Sequence, residues 1–247
     1  MSSEPLQVFI HVPKTAGSSF RAVIERNVPP ERRVNLDSAF GTTLAQALWS
    51  ARNQLPTATI VYGHVERRVH DMTDRDCAYF TILRDPVERV LSLYRFIKYD
   101  FPVHPMHAVL NAPDMTLQRW IEGRPAMTCN VMTKMLSGQA SEYEPDTPAM
   151  LPFAIKALHG LSAMGIQERY NESVDLISAT FGWTPVYEAV NRSSIDREGL
   201  FEREDVSDTT LDMIREANAL DIALYAEAVV LFDRRVSARR EVAEACG

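Results

Sequence analysis

Six residues near the start of the chain carry the clearest chemistry. Lys14, Thr15, Ala16, Gly17, Ser18 and Ser19 combine a full positive charge with three hydroxyl donors in a small-residue loop. If the loop opens a helix, the free N–H groups and positive dipole end of the first turn face one point, which suits a phosphate-like anion. The common nucleotide loop, G-x-x-x-x-G-K-[ST], has its lysine near the end and a hydroxyl for magnesium. Here the lysine comes three residues before the glycine, and no glycine precedes it. An ordinary strand-to-helix turn with a solvated lysine would present the same six residues.

Other candidates lie further along. His64 follows a strand-ending Gly63 and is either a strand-end cap or a group aimed at a ligand. Arg84 sits at the end of another apolar run, where an arginine fork grips phosphate well, and Ser92 lies two turns into the next helix. A salt-bridged Arg84 and a surface Ser92 are the structural alternative. Arg67 and Arg68 add local positive charge as a basic turn. Glu168 is a second candidate base, with an ion pair to Arg169 as its plainer role. Asn191, Arg192, Ser193 and Ser194 form a polar cluster that could close over a nucleotide or be a plain loop. His104 and His107 are three apart, but Pro105 between them disfavours a helical metal pair.

These side chains need elements to position them. Leu6 to Val12 is a β-rich apolar run stopped by Pro13, the mark of a parallel strand buried on both faces. Phe20, Val23 and Ile24 recur at helical spacing after the lysine loop, and Val28-Pro29-Pro30 ends that helix. An amphipathic helix follows around Thr43 to Asn53. Ala58 to Tyr62 and Cys77 to Leu83 are the next two strands. Asp85 is a good N-cap and Pro86 a good first residue for a helix whose Val87, Val90, Leu91 and Tyr94 share one face. Leu161 to Ile166 reads as a further strand, and Asn171 as the cap of a helix that Gly182 ends. From Ser207 the chain is helical, with Leu211, Ile214, Leu220, Leu224 and Val229 as core candidates. The stretch 98–152 holds one short helical pattern near Leu117 to Ile121. It reads as an insertion shaping an acceptor pocket, with its acidic part from Ser141 to Pro152 reaching solvent. Strands alternating with helices predict an α/β fold, a doubly wound and mostly parallel sheet with a P-loop-like strand–loop–helix. In such sheets ligands bind outside the carboxyl ends of the strands, where Lys14 and His64 both fall.

The chain's bulk properties narrow the field. At 247 residues, 46% hydrophobic and 24% charged, it suits one large α/β domain spanning 1–247, with no repeats or linker tracts to divide it. A net charge of −7 and a pI near 5.4 argue against a nucleic-acid partner, so an anion site must be locally basic. Cys77, Cys129 and Cys246 offer neither a disulfide framework nor metal-ligand spacing, and no metal is expected. The first residues lack a basic signal region and no apolar run is long enough to cross a membrane, so a cytoplasmic protein is expected.

HVPKTAGSSF, YGHV and TILRDPVERVLSLYRF, in this order, resemble sulfotransferases that use 3′-phosphoadenosine 5′-phosphosulfate, in particular the carbohydrate (heparan sulfate 2-O-type) branch. NVMTKMLSG from Asn130, GIQERYNESVDLI from Gly165 and the residues from Asn218 to Tyr225 extend the likeness over most of the chain. The resemblance implies that Lys14, Thr15, Ala16, Gly17, Ser18 and Ser19 hold the 5′-phosphosulfate. By the same resemblance Arg84 and Ser92 hold the 3′-phosphate, and His64 is the catalytic base. The product nucleotide would be 3′-phosphoadenosine 5′-phosphate. A glycan, glycoconjugate or small-metabolite hydroxyl would be the acceptor. A transferring sulfuryl group carries one formal negative charge where a phosphoryl group carries two, so a lysine and backbone N–H groups can serve without a metal. A magnesium-dependent kinase and a non-catalytic nucleotide-binding protein are the rival readings.

Overall fold

Apolar runs of β-branched and aromatic residues, too uniform to leave a wet face, become the inner strands of a parallel sheet. A computed structural model describes residues 4–37, 43–187 and 206–245. In chain order its elements are β1 (Leu6–Ile10), α1 (Gly17–Asn27), β2 (Arg33–Asn35), α2 (Leu44–Ala51), β3 (Ile60–Gly63), β4 (Cys77–Leu83), α3 (Pro86–Arg95), α4 (His107–Leu110), α5 (Leu117–Glu122), α6 (Val131–Ser137), α7 (Met150–His159), β5 (Ala163–Ile166), α8 (Tyr170–Phe181), α9 (Asp208–Ala217) and α10 (Ala219–Ala245). The strands lie in the order β2-β3-β1-β4-β5, and every neighbouring pair is parallel.

Successive residues of a strand point to opposite faces, and here both faces are covered. Phe9, Phe80 and Ile82 pack with Phe20, Val23 and Ile24 of α1 and with Val174 and Ile177 of α8. Val8 and Ile10 pack on the other face with Leu48 of α2, Met132 and Met135 of α6, Leu158 of α7 and Leu224 and Phe232 of α10. A third apolar cluster joins Val90, Leu91 and Tyr94 of α3 to Trp120 and Ile121 of α5 and Ile214 of α9. The expected α/β architecture with helices on both faces is the one observed.

The connection from β1 leads to β2 on one side, and that from β4 leads to β5 on the other. The carboxyl ends of β1 and β4 therefore flank the crevice where chain direction reverses, the place at which open parallel sheets bind ligands.

Several local expectations are corrected. β1 ends at Ile10 rather than Val12, because the Val12 N–H turns back to Ile10 O at 3.2 Å. β2 has one buried residue, Val34, and so shows no alternation to read. α8 begins at Tyr170 with Arg169 in the cap position, so Asn171 lies inside the first turn. Leu220 and Val229 are only half-buried, whereas Leu211, Ile214 and Leu224 are core. Within 98–152, α4 and α5 pack on α3, while α6 belongs to the main core. The acidic end of this stretch is not wholly solvent-facing, since Glu142 is buried.

A buried polar network ties the middle of the chain to its last helices. Asp221, in the first turn of α10, accepts the Met132 and Thr133 N–H groups of α6 at 3.0 and 2.7 Å. Asn130, the cap residue of α6, in turn accepts the Leu220 and Asp221 N–H groups of α10 at 3.0 and 3.1 Å. Each helix start thus supplies the acceptor for the other's unpaired donors. Asn218 extends the network, accepting from Asn130 N and donating to Thr128 O. Asp221→Ala leaves two buried N–H groups without acceptors, and is expected to lower stability by about 2–4 kcal/mol. Urea unfolding measures this directly; a loss below about 0.5 kcal/mol, the size of an exposed-site change, would mean the reciprocal caps carry no stability.

Candidate active site

The lysine loop is held under backbone strain. Lys14 and Ala16 adopt left-handed conformations, with φ of 69° and 71°, which non-glycine residues hold only when their surroundings fix them. Ala16 is the cap residue of α1, so the loop delivers the helix N-terminus directly into the crevice. The Thr15 hydroxyl is buried and donates to Val12 O at 2.8 Å, so it braces the loop. Ser18 is exposed and Ser19 is buried at 9% exposure.

The β4 end meets this loop. Arg84 Nη1 donates to Lys14 O at 3.2 Å, spanning the crevice between β1 and β4. Lys14 Nζ stands 3.8 Å from the centre of the Phe96 ring, a cation–π contact. Phe96 opens a π-helical turn, Phe96–Asp100, that continues α3. Ser92 is half-buried and lies four residues before Phe96, on the same helix face. Asp85 caps α3, accepting Glu88 N at 3.0 Å, and Pro86 takes the first position as expected.

His64 follows β3 and stands between two carboxylates. Its Nδ1 lies 3.1 Å from Glu142 Oε1. A carboxylate only accepts, so Nδ1 carries the proton and Nε2 is left as the basic nitrogen. Burial pulls the imidazole down, but the Glu142 hydrogen bond and charge outweigh it, and the net shift is upward. Burial likewise opposes ionisation of Glu142, yet the bond to His64 holds its carboxyl below the usual range. The His64 side chain is still 34% exposed, open enough to meet a substrate.

Glu142 reaches this position through a buried lysine. Lys134 Nζ donates to the carbonyls of Ala126, Glu142 and Glu144 at 2.8, 3.2 and 2.8 Å. Burial lowers its ammonium to about 8. Three carbonyl acceptors on one ammonium fix the segment that carries Glu142.

A second carboxylate–imidazole pair lies alongside. His11 Nδ1 is 3.2 Å from Asp37 Oδ1, and Arg21 grips the other Asp37 oxygen. The His11 and His64 rings meet edge to face, 4.6 Å between centres. Burial drives the His11 imidazole down, and its bond to Asp37 does not reverse the shift. Burial raises Asp37, but the His11 hydrogen bond prevails and leaves it at about 2. Backbone proximity makes this cluster: a Cβ on Gly63, whose φ is +148°, would come within 2.5 Å of Asp37 N. Donor atoms of His11, Asp37 and His64 lie within 4.8 Å of one another, and Arg21 already supplies positive charge there. Sequence reasoning missed His11, Asp37 and Glu142. His11 lies within the HVPKTAGSSF stretch, whereas Asp37 and Glu142 have no motif to mark them.

The remaining candidates take structural places. Glu168 accepts Asp85 N at 3.0 Å on one oxygen and Tyr225 Oη at 2.7 Å on the other. Arg68 pairs with Asp71, and Arg67 lies over the Tyr79 ring. His104 Nδ1 accepts from Met106 N, and His107 Nδ1 bonds Ile97 O, so neither offers that nitrogen to a metal. Asn191, Arg192, Ser193 and Ser194 lie outside the described residues.

A strand–loop–helix anion site at the reversal point of a parallel sheet, with a carboxylate-backed histidine beside it, is the frame of a nucleotide-dependent group-transfer enzyme. The chain belongs to the sulfotransferase family, whose family model, described as "Sulfotransferase family", matches residues 2–226. It is an enzyme that transfers a sulfuryl group from 3′-phosphoadenosine 5′-phosphosulfate to an acceptor hydroxyl, and not a kinase. Heparan-sulfate 6-O-sulfotransferase 1 of Homo sapiens is 24% identical, over 98% of this chain and 69% of its own length. Heparan-sulfate 6-O-sulfotransferase 2 of Gallus gallus is 22% identical, over 98% of this chain and 70% of its own. These relatives are 6-O enzymes by name, where the motifs suggested the 2-O branch. Among solved structures, mouse sulfotransferase SULT7A1 complexed with PAP is similar at 12% identity and a TM-score of 0.43, covering 90% of this chain and 67% of that one. No helix among the described residues is long and apolar enough to cross a membrane.

Glu142→Gln keeps the shape of the acceptor but removes its charge. The His64 midpoint should then fall, because the group that raises it is gone. The acid limb of the pH–rate profile should move to lower pH with it. An NMR titration of the imidazole C–H resonances reads the midpoint; an unchanged value would show that Glu142 does not govern His64.

Proposed function

We propose that this enzyme sulfates a hydroxyl of a glycan or glycoconjugate, with His64 as the base and the Lys14 loop as the seat of the donor's phosphosulfate. The observation that carries this reading is the His64–Glu142 pair at the sheet edge beside the Lys14 loop, in a chain of the sulfotransferase family. The names of the relatives favour a glycan acceptor. The stretch 98–152 contributes the acceptor wall: it supplies Glu142 behind His64, and its Phe101 stacks on Phe96 over the lysine loop. Free thiols at Cys77 and Cys129 suit a reducing, cytoplasmic setting.

The reaction is an in-line displacement. The acceptor hydroxyl approaches sulfur from the side opposite the bridging oxygen, and His64 Nε2 takes its proton as the new oxygen–sulfur bond forms. The bond between sulfur and the bridging oxygen breaks, and its electron pair leaves with 3′-phosphoadenosine 5′-phosphate. Lys14 and the first N–H groups of α1 offset the charge that gathers on that oxygen. Arg84 and Ser92 hold the 3′-phosphate, a remote contact that keeps the reacting centre in register.

Two outcomes test these roles. His64→Ala should lower turnover by on the order of 10²–10⁴-fold while donor binding holds. Sulfate transfer from labelled donor into a glycan mixture measures it, and wild-type turnover in the variant would remove His64 from the mechanism. Arg84→Ala should weaken 3′-phosphoadenosine 5′-phosphate by roughly 30-fold or more. Binding of adenosine 5′-phosphosulfate, which lacks the 3′-phosphate, should change little. Calorimetry that found equal losses for both nucleotides would make Arg84 a brace for the Lys14 carbonyl instead.

A further inference from the structure

His11 has no part in the mechanism above, yet it is the buried side chain that joins the donor loop to the base. Its ring stacks on Phe9, 5.9 Å between centres and 8° from parallel. The edge bearing Cδ2 and Nε2 lies against Gly17, the first residue of α1: a Cβ there would fall 1.9 Å from Cδ2 and 2.2 Å from Nε2. Only glycine fits that position, and the fit sets the Nε2 edge beside the first N–H groups of the helix. The opposite nitrogen, Nδ1, faces the acceptor-only carboxylate of Asp37 and so carries the ring's proton. Nε2 is left as a lone pair beside an anion site.

We propose that His11 is a further donor-binding residue, whose Nε2 takes up a proton from solvent when the anionic phosphosulfate settles on the first turn of α1. The imidazolium so formed lies between Asp37 and the bound anion, a cation present only while the donor is in place. This rests on the lysine loop being the donor seat. Every charged group facing the ring bears on it. Asp37 favours the proton; Arg21 on α1 and the neighbouring His64 oppose it; Glu142 acts on the far side of His64. Without an anion, burial keeps His11 neutral. With one, the balance tips toward the charged ring, since opposite charge within a few ångström favours ionisation. A charged His11 also stands edge-on to His64 and disfavours a second positive charge there, which keeps the base neutral while the donor is bound.

The test is calorimetry of 3′-phosphoadenosine 5′-phosphate binding at pH 6.5 in two buffers of different ionisation enthalpy. The wild type should take up on the order of half a proton, and affinity should fall about threefold per pH unit through this range. His64→Asn should keep the uptake, while His11→Phe and His11→Gln should lose it and flatten the pH dependence. Should the variants misfold, the wild type alone decides: the His11 C–H resonance should titrate at higher pH in the nucleotide complex than in the free enzyme. Uptake that persists without His11, or a resonance unmoved by nucleotide, overturns the proposal alone. No nucleotide binding by the wild type would overturn the donor seat and this proposal together.

Discussion

A parallel sheet has one carboxyl edge, and this constraint organises everything else in the molecule. All five described strands run the same way, so the residues after β1, β3 and β4 emerge on one side. The lysine loop, His64 and Arg84 are distant in sequence and have no other reason to meet. Hydrogen-bond register sets their relative heights: Ile10 pairs with Gly63 on one flank and Thr81 on the other. A slip of one residue would turn Phe9 and Ile10 to the wrong faces and carry the loop and the histidine out of reach.

Strand ends bring groups together but do not orient them. Orientation comes from polar contacts that are buried and saturated. His64 is aligned by Glu142, Glu142 by its peptide's bond to Lys134, and that segment by the paired starts of α6 and α10. Each link uses a group that would be costly to bury alone. His64 is therefore supported from behind by a chain of interactions that runs through Glu142 and Lys134 to the starts of α6 and α10.

Much of this was legible in the sequence. Continuous apolar runs marked β1, β3 and β4, while Asp85-Pro86 marked the start of α3 and the small residues after Pro13 marked the turn from β1 into α1. What could not be read were contacts between segments with no local signature. Asp37 and Glu142 are ordinary carboxylates in polar stretches, and only the fold sets them on the two histidines. His11 was hidden for another reason: inside a strand-like run its neighbours make it look like a core residue, and it is one, at 7% exposure. Thr15 has a role that its place in the motif does not signal, since its hydroxyl braces the loop through Val12 O. Glu168 takes a structural place that its position after a strand end does not signal, accepting from Asp85 N and Tyr225 Oη.

The reciprocal caps of α6 and α10 join residues some ninety positions apart, Asn130 to Asp221 and Asp221 to Thr133. On the ribosome this has a temporal meaning. The lysine loop, β4 and the Lys134 helix emerge long before the acidic residue that closes the circuit. Until Asp221 has left the exit tunnel, α6 begins with open donors and the peptide bearing Glu142 lacks a settled support. The nascent chain can collapse around β1 and β4, but its histidine gains a fixed partner only after Asp221 has emerged. The support behind His64 is thereby tied to the arrival of α10, a helix distant in sequence from the strand that carries the imidazole.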